Sequence, residues 1–255
     1  FDGVHGVFAV TDFYGHCSPE RELTQARHIA DAARDARVAH LVWSTLEDTR
    51  RWVPLDDDQM PTLMGRWKVP QFDAKGAANL LFRERGVPTT LLHTSVFWDR
   101  LVPCGLQRGS DGGLVFVLPM GERVMPGIAA EDVGACALAI FERGTWTVGR
   151  SVGIAGEHLS GAQMAASLTR VLGEAVQHRS PNATEYAARG CTGAADMANM
   201  FQFMHDFSDE FIARHIGSPT DELNAMLDAI GAPNLDTLID QTVPPAIRLP
   251  APMPL

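Results

Sequence analysis

One lysine and one aromatic segment are the residues whose types and spacing could hold a ligand. Lys75 lies near the start of a predicted helix at residues 72–85. A Gly-Val-Pro turn and a buried strand at residues 89–93 follow this helix, and residues 95–100 form a loop after the strand. Ligands of open α/β sheets bind outside the carboxyl ends of the strands. We therefore expect Lys75 and the loop to face each other across a site.

The elements that must position this site alternate between buried strands and helices. Strands are predicted at residues 4–10, 38–43 and 89–93, and the helices between them at residues 19–36 and 72–85. The strand-helix-strand order predicts parallel strands that are joined by right-handed crossovers. A doubly wound parallel α/β sheet is therefore the predicted fold class.

The part of the chain after Leu101 has a different pattern. Residues 114–118 and 122–128 are predicted to pair as two short strands around Pro119-Met120-Gly121. Residues 131–141 predict a helix, and residues 151–155 predict a fourth parallel strand. The remainder is mostly helical, with helices predicted at residues 160–172, 182–189, 193–206, 208–215 and 220–230, a short strand at residues 175–179, and an extended proline-rich tail.

Composition and charge exclude several functions. The 255 residues carry a formal net charge of −10, which argues against a nucleic-acid surface because phosphate binding needs clustered Lys and Arg. No apolar run approaches the roughly 20 residues that a membrane helix requires. Neither HExxH nor GxSxG is present, so the sequence predicts no metal site and no hydrolase nucleophile elbow. The cysteines form no CxxC pair, which favours a reducing cytoplasm; they are Cys17, Cys104, Cys136 and Cys191.

The start of the chain carries an expectation of its own. Residue 1 is Phe rather than Met, and an apolar strand begins within three residues of it. The charged segment and the small-residue cleavage site of a signal peptide are both missing. We therefore expect the chain to begin at an internal cut, as a truncated form of a longer sequence.

Five segments follow one another along the chain: GVFAVTDFYGHCSPERE at residues 6–22, LVWSTLED at 41–48, QFDAKG at 71–76, RGVPTTLLHTSVFWDRL at 85–101 and GIAAEDVG at 127–134. In this order they resemble segments of the NmrA-like family, a branch of the atypical short-chain dehydrogenase/reductase superfamily. The later run DMANMFQFM at residues 196–204 is similar to a run in the redox-sensor branch of that family.

The resemblance implies a Rossmann-type NAD(P)-binding domain and a smaller, mostly helical domain for a substrate or partner. Residues 1–110 and 129–156 would belong to the first domain, and residues 111–128 and 157–255 to the second. The first strand would be the fourth of the Rossmann sheet, so the fold would be truncated at its N-terminus. No GxGxxG is found, so the phosphate cradle at a helix N-terminus is missing. The implied cofactor is NADP, with NAD as the alternative.

The resemblance also implies which residues would contact the cofactor. Lys75 would hold the nicotinamide ribose, and Gln71 stands where the superfamily has the tyrosine that donates a proton. No catalytic residue is therefore predicted. The other implied contacts follow the first strand (Thr11, Asp12, Phe13 and Tyr14) or lie in the later loop (Ser95, Phe97, Trp98, Asp99 and Arg100). The alternatives are an exposed helix lysine at position 75, an Asx turn after the first strand, and aromatic core packing at Phe97 and Trp98.

The sequence is compatible with three functions. The first is a non-catalytic redox-sensing regulator that binds NAD(P) and is read by a protein partner. The second is an NADPH-dependent reductase of quinones or related small molecules, since some members of the superfamily work without that tyrosine. The third is a chain that binds no dinucleotide because half of its sheet is missing. An exposed edge on the first strand would then favour association, including a homodimer.

Overall fold

The computed structural model describes residue 1, residues 3–189 and 193–207, and residues 233, 234 and 237. The chain divides into two compact units, Phe1–His215 and Ile216–Leu255. In the second unit, the backbone N–H of Thr237 donates a hydrogen bond to Asn234 Oδ1 (2.8 Å). Everything below concerns the first unit. The predicted helices at residues 208–215 and 220–230, the proline-rich tail and Cys191 lie outside the described residues.

The first unit alternates between strands and helices as far as Thr94. In chain order the strands are β1 (Gly6–Ala9), β2 (His40–Thr45), β3 (Thr89–Thr94), β4 (Val96–Phe97), β5 (Leu106–Arg108), β6 (Leu114–Val117), β7 (Val124–Ile128), β8 (Ser151–Ile154), β9 (Glu157–Ser160) and β10 (Val176–Arg179). The helices are α1 (Pro19–Asp35), α2 (Pro70–Glu84), α3 (Trp98–Gly105), α4 (Ala130–Glu142), α5 (Gly161–Leu172), α6 (Ala183–Ala187) and α7 (Ala194–Asp206).

The main sheet has the order β1-β2-β3-β8, and each neighbouring pair is parallel. The predicted doubly wound α/β fold is confirmed, including the fourth parallel strand. Successive side chains of a strand point to opposite faces. Leu41 and Trp43 of β2 therefore pack with α1 and α2, while Val42 packs with α4 on the other face. Helices thus cover both faces of the sheet.

Local sequence signals fix where the helices begin. Ser18 accepts a hydrogen bond from the backbone N–H of Arg21, and Pro19 takes the first position of α1, where its missing N–H costs nothing. Ser160 forms a capping box with Gln163 at the start of α5. Both helices lie where helices at residues 19–36 and 160–172 were predicted.

The predicted pairing of residues 114–118 with 122–128 is wrong. Strand β6 pairs with β10 and β5, whereas β7 pairs with β4 and β9 in a separate sheet. The segment between them is tied to the end of β10 instead of forming a hairpin. The N–H of Leu118 donates to Arg179 O (3.0 Å), and the N–H of Gly121 donates to Ser180 Oγ (2.8 Å).

The predicted loop at residues 95–100 is also wrong. Val96 and Phe97 form β4, which pairs with Gly127 and Ile128 of β7, and Trp98 begins α3. Pairing with β7, thirty residues away, extends the backbone at Phe97 before the helix begins. Neighbouring residues alone did not reveal this partner.

Two glycine substitutions test the packing of α2 against the loop after β2. A Cβ on Gly76 would lie 2.6 Å from the backbone nitrogen of Asp48, whereas a Cβ on Gly134 of α4 would meet nothing within 4 Å. We expect Gly76→Ala to lower the free energy of unfolding by about 1–3 kcal/mol through overpacking. Gly134→Ala is the control and should raise it by about 0.5–1 kcal/mol. Urea unfolding measures both, and equal effects would contradict the close approach.

In the part of the chain that the model describes, no helix combines the length and the apolar character needed to cross a membrane.

Candidate functional site

Lys75 projects from the first turns of α2 toward the segment after β1. Its ammonium donates to the carbonyl oxygen of Thr11 (Nζ–O 3.1 Å) and to the Thr11 hydroxyl (Nζ–Oγ1 2.5 Å). It also forms an ion pair with Glu22 of α1 (Nζ–Oε1 2.7 Å). The same ammonium lies 5.4 Å from the centre of the Trp43 ring. Lys75 is thus 5% exposed, and three acceptor atoms match its three N–H groups.

The acidic partner of Lys75 is buried more deeply than the lysine. Glu22 has no exposed surface, and its Oε1 also accepts a hydrogen bond from the Thr11 hydroxyl. Its other oxygen, Oε2, lies 3.4 Å from His16 Nε2. Burial lowers the pKa of Lys75, and the neighbouring Glu22 carboxylate partly offsets that shift. The cluster of Lys75, Glu22, Thr11 and His16 is a buried ion pair with its own hydrogen bonds.

The residues after β3 have other partners. Asp99 Oδ2 accepts a hydrogen bond from the backbone N–H of Ala130 (2.7 Å), and so joins α3 to the start of α4. The Trp98 ring lies directly over Gly127 of β7, where a Cβ would come within 2.1 Å of it. Ser95 is buried, and its hydroxyl has no hydrogen-bond partner among the described residues. Phe97 is half-buried and packs in the core between the sheet and α4.

The predicted site residues therefore fall into two groups. Thr11 contacts Lys75 directly, and Asp12 is close enough to raise the pKa of Lys75. The segment from Ser95 to Asp99 is joined to β7 and α4, and Arg100 is exposed on α3. The polar contacts of Lys75 are with Thr11 and Glu22 and not with the segment from Ser95 to Arg100. The roles of that segment and of Lys75 toward a cofactor stay predictions.

Tyr14 leads to a second polar cluster. Its ring packs edge-on against Phe13 (5.7 Å between centroids), and its hydroxyl donates to Asp196 Oδ2 (3.4 Å). The other oxygen of Asp196 accepts from the backbone N–H of Gln71 (3.3 Å), at the start of α2. Burial, followed by the nearby Asp196, raises the pKa of Tyr14 well above its ordinary value. Burial likewise raises the pKa of Asp196 from 3.8 to about 7.

A cavity of about 400 Å³ opens beside Asp196. Its walls come from the segment after β1, from the loop before α2, and from α6 and α7. They include Phe13, Cys17, Leu63, Pro70 and Ala194, together with the Asp196 carboxyl. The cavity is thus mostly apolar, with a buried acid in its wall.

A third buried acid has a structural role. Asp73 of α2 accepts hydrogen bonds from the backbone N–H groups of Thr49, Lys68 and Val69 and from the Thr49 hydroxyl. The distances lie between 2.6 and 3.1 Å. Asp73 therefore fixes both ends of the irregular segment between β2 and α2. Its pKa is raised because burial outweighs these hydrogen bonds.

Sequence reasoning missed Glu22, Asp73 and Asp196. A signal existed for Glu22, since residues 22, 26, 30 and 33 share one face of α1 and the other three are buried alanines. An acid in such an apolar stripe predicts a buried cationic partner. No comparable local signal marked Asp196, whose partner Tyr14 is 182 positions away.

The cluster around Lys75 can be compared with the needs of a dinucleotide. The ammonium lies at the carboxyl ends of β1 and β2, where ligands bind in sheets of this type. Its N–H groups suit ribose hydroxyls, but Glu22 and Thr11 take them. The residue types therefore fit a ribose, with Glu22 as a competitor for the same cation. No group of three His, Cys, Asp or Glu side chains within the described ranges is placed to hold a metal ion.

The Asp196 carboxyl gives a pH prediction. Its pKa is about 7 in the folded chain and 3.8 when unperturbed, so between these values the folded state retains a proton that the unfolded state releases. The free energy of unfolding should therefore fall as pH rises from about 4 to about 7, by up to a few kcal/mol. Asp196→Asn should lack this component. Urea unfolding from pH 5 to 8 measures the difference, and parallel profiles for the two proteins would refute it.

Comparison with protein families gives a match over most of the chain. The model of the NmrA-like family matches residues 1–230. A stretch of 47 residues, 18% of this chain, is 66% identical to glycine dehydrogenase (decarboxylating) of Dechloromonas aromatica (strain RCB) and covers 5% of that protein. The chain thus spans only a small part of that relative.

Solved structures show the same fold at low sequence identity. A crystal structure of NmrA, a negative transcriptional regulator in complex with NAD, is 23% identical, with a TM-score of 0.59 over 71% of this chain and 54% of that one. The chain therefore spans about half the length of that NmrA chain. The NADPH-dependent quinone oxidoreductase QOR2 from Escherichia coli is 21% identical, with a TM-score of 0.59 over 86% of this chain and 73% of that one.

Proposed function

Since the chain belongs to the NmrA-like family, we propose that it is a regulator that binds NAD(P) without reducing a substrate. The observation that carries this proposal is that the Lys75 ammonium bonds to Thr11 and Glu22 and not to a tyrosine hydroxyl. Tyrosine-dependent reduction needs a phenol beside the lysine ammonium, because the cation lowers the pKa of the phenol that donates the proton.

Neither tyrosine of the chain has that environment. Tyr14 donates to Asp196, and its pKa is raised, which is the opposite of what a proton donor needs near neutral pH. Tyr186 is buried against Phe201, with 5.4 Å between the ring centroids. Gln71 stands four residues before Lys75 and has no ionisable group. These positions support binding without tyrosine-dependent chemistry.

In this proposal the Lys75–Glu22 ion pair controls whether the cofactor can reach the lysine ammonium. When bound, the dinucleotide would supply ribose hydroxyls as acceptors and, in its reduced form, a hydride. Lys75 would hold the ribose, and Thr11 and the other predicted contact residues would line the same side of the cofactor. Because Glu22 occupies the ammonium, binding must break a buried ion pair. The cofactor would therefore change the contacts of α1, which gives a regulator a means of signalling.

A turnover assay tests the proposal. The chain of residues 1–255 is incubated with NADPH and a panel of quinones, and the absorbance of NADPH is followed. We expect no oxidation above the buffer background. Quinone-dependent oxidation that Lys75→Met abolishes would overturn the proposal and favour a reductase.

The second candidate is that reductase. It is suggested by the similarity to QOR2, an NADPH-dependent quinone oxidoreductase. The cavity beside Asp196 would then take the substrate. We rank it second because at 21% identity the similarity carries the fold alone, and because Gln71 removes the phenol.

A protein partner and a homodimer are further parts of the proposal. In the described part of the chain β1 is an edge strand that pairs with β2, and its other edge has no strand beside it. The exposed side chains of Val4 and Val10 flank this edge. A free edge is a template for pairing with another chain. A cytoplasmic location is also part of the proposal, and the free thiols of Cys17, Cys104 and Cys136 support it.

The similarity to glycine dehydrogenase adds no activity to this proposal. It covers 5% of that protein, which is too little to carry glycine decarboxylation.

A further inference from the structure

The cavity beside Asp196 has mostly apolar walls. Phe13 and Ala194 are buried in its wall, Leu63 is half-buried, and Pro70 closes the side toward α2. Its volume of about 400 Å³ lies in the range of small-molecule sites. Apolar walls with one polar group are the usual composition of such sites.

The polar group is a carboxyl without a cation. Asp196 is 6% exposed, and its hydrogen bonds come from neutral donors, the Tyr14 hydroxyl and the Gln71 N–H. Both bonds are long, at 3.4 and 3.3 Å. None of the ion pairs within the described residues includes Asp196, whereas the buried Glu22 has Lys75. Buried acids in proteins are paired with a cation or neutralised by a proton, so Asp196 needs a cation when it is ionised.

We propose that this cavity binds a small apolar cation, an amine or quaternary ammonium on an aromatic or aliphatic body, with Asp196 as its counter-ion. The body fills the apolar volume, and the charged head reaches the carboxylate. The Phe13 ring lies in the cavity wall, and aromatic rings attract organic cations through their quadrupole. Asp196 makes no contact with the Lys75–Glu22 pair, although Phe13 belongs both to the cavity wall and to the predicted cofactor contacts.

Several other groups face Asp196 and must be considered in its titration. Tyr14 and Cys17 face it from the segment after β1. Asp73 of α2 adds a like charge, which raises the pKa of Asp196. Tyr186 of α6 lies close enough to Tyr14 to raise its pKa. Each of these groups is acidic, so none of them supplies the missing positive charge.

A matched pair of probes tests the proposal on residues 1–255. Phenyltrimethylammonium carries a permanent charge, and tert-butylbenzene has the same shape without it. Ligand-observed NMR gives the two dissociation constants. We expect phenyltrimethylammonium to bind at least tenfold more tightly at pH 8. Equal binding of the two probes, or no saturable binding of either, would overturn the proposal.

The pH dependence and two variants assign the charge to Asp196. The ammonium probe does not titrate, so its affinity should follow ionisation of Asp196 and rise about tenfold from pH 6 to pH 8. Asp196→Asn keeps the shape and should lose both the affinity and its pH dependence. Asp206→Asn, at the exposed end of the same helix, makes the same charge change and should bind as the wild type does. Binding by Asp196→Asn equal to the wild type would refute the assignment.

Discussion

Lys75→Met should lower the free energy of unfolding by about 3–5 kcal/mol, because it leaves the Glu22 carboxylate buried without a cation. Glu22 has no exposed surface and accepts from both Lys75 and Thr11. Removing one partner of a buried ion pair costs far more than removing an exposed one, which costs about 1 kcal/mol or less. Urea unfolding at pH 7 measures the loss.

The double variant Glu22→Leu/Lys75→Met separates the charge effect from packing. Replacing both members of a buried pair by apolar side chains of similar size is often neutral or stabilising. We therefore expect the double variant to recover most of the stability that Lys75→Met loses. A loss below about 1 kcal/mol for Lys75→Met would mean that the pair is solvated, like an exposed one. A double variant as unstable as the single one would mean that packing, not charge, was lost.

Asp73→Ala should cost at least about 4 kcal/mol, because three backbone N–H groups and one hydroxyl lose their acceptor and each costs about 1–3 kcal/mol. The donors are Thr49, Lys68 and Val69, and Asp73 itself is fully buried. The segment between β2 and α2 should loosen in the variant. Urea unfolding gives the stability, and amide hydrogen exchange at these three residues reports the loosening.

Asp35→Ala is the matched control for Asp73. Asp35 is exposed at the end of α1 and pairs with Arg34 in an exposed ion pair. We expect a change below about 1 kcal/mol. If Asp73→Ala behaves like Asp35→Ala, the four hydrogen bonds of Asp73 contribute little. Unchanged hydrogen exchange at Lys68 and Val69 would lead to the same conclusion.

The main sheet could be predicted because its signals are local. Each parallel strand is a short apolar run, and Ser18 and Ser160 mark helix starts with their own side chains. The pairing of β6 and β7 could not be predicted in this way. Besides its neighbour β5, strand β6 pairs with the distant β10, and β7 pairs with the distant β4 and β9. Those distant partners leave no mark on residues 114–128.

The candidate site could be predicted only in part for the same reason. The position of Lys75 on α2 followed from sequence, but its partners depend on how α1 packs against α2. Asp196 reaches Tyr14 and Gln71 from a helix near the end of the described chain. The partners of these buried acids are distant in sequence. Only Glu22 lies in a local sequence pattern, the apolar face of one helix, that predicts its burial.

The most direct test of the central claim, that a dinucleotide competes with Glu22 for Lys75, is an NADPH titration followed by ligand fluorescence. The wild type, Glu22→Gln and Lys75→Met are compared, each first shown to be folded. We expect saturable binding to the wild type, about tenfold tighter binding to Glu22→Gln, equivalent to about 1.4 kcal/mol, and a loss of binding in Lys75→Met. Equal affinities for the three proteins, or no binding to any of them, would contradict the claim.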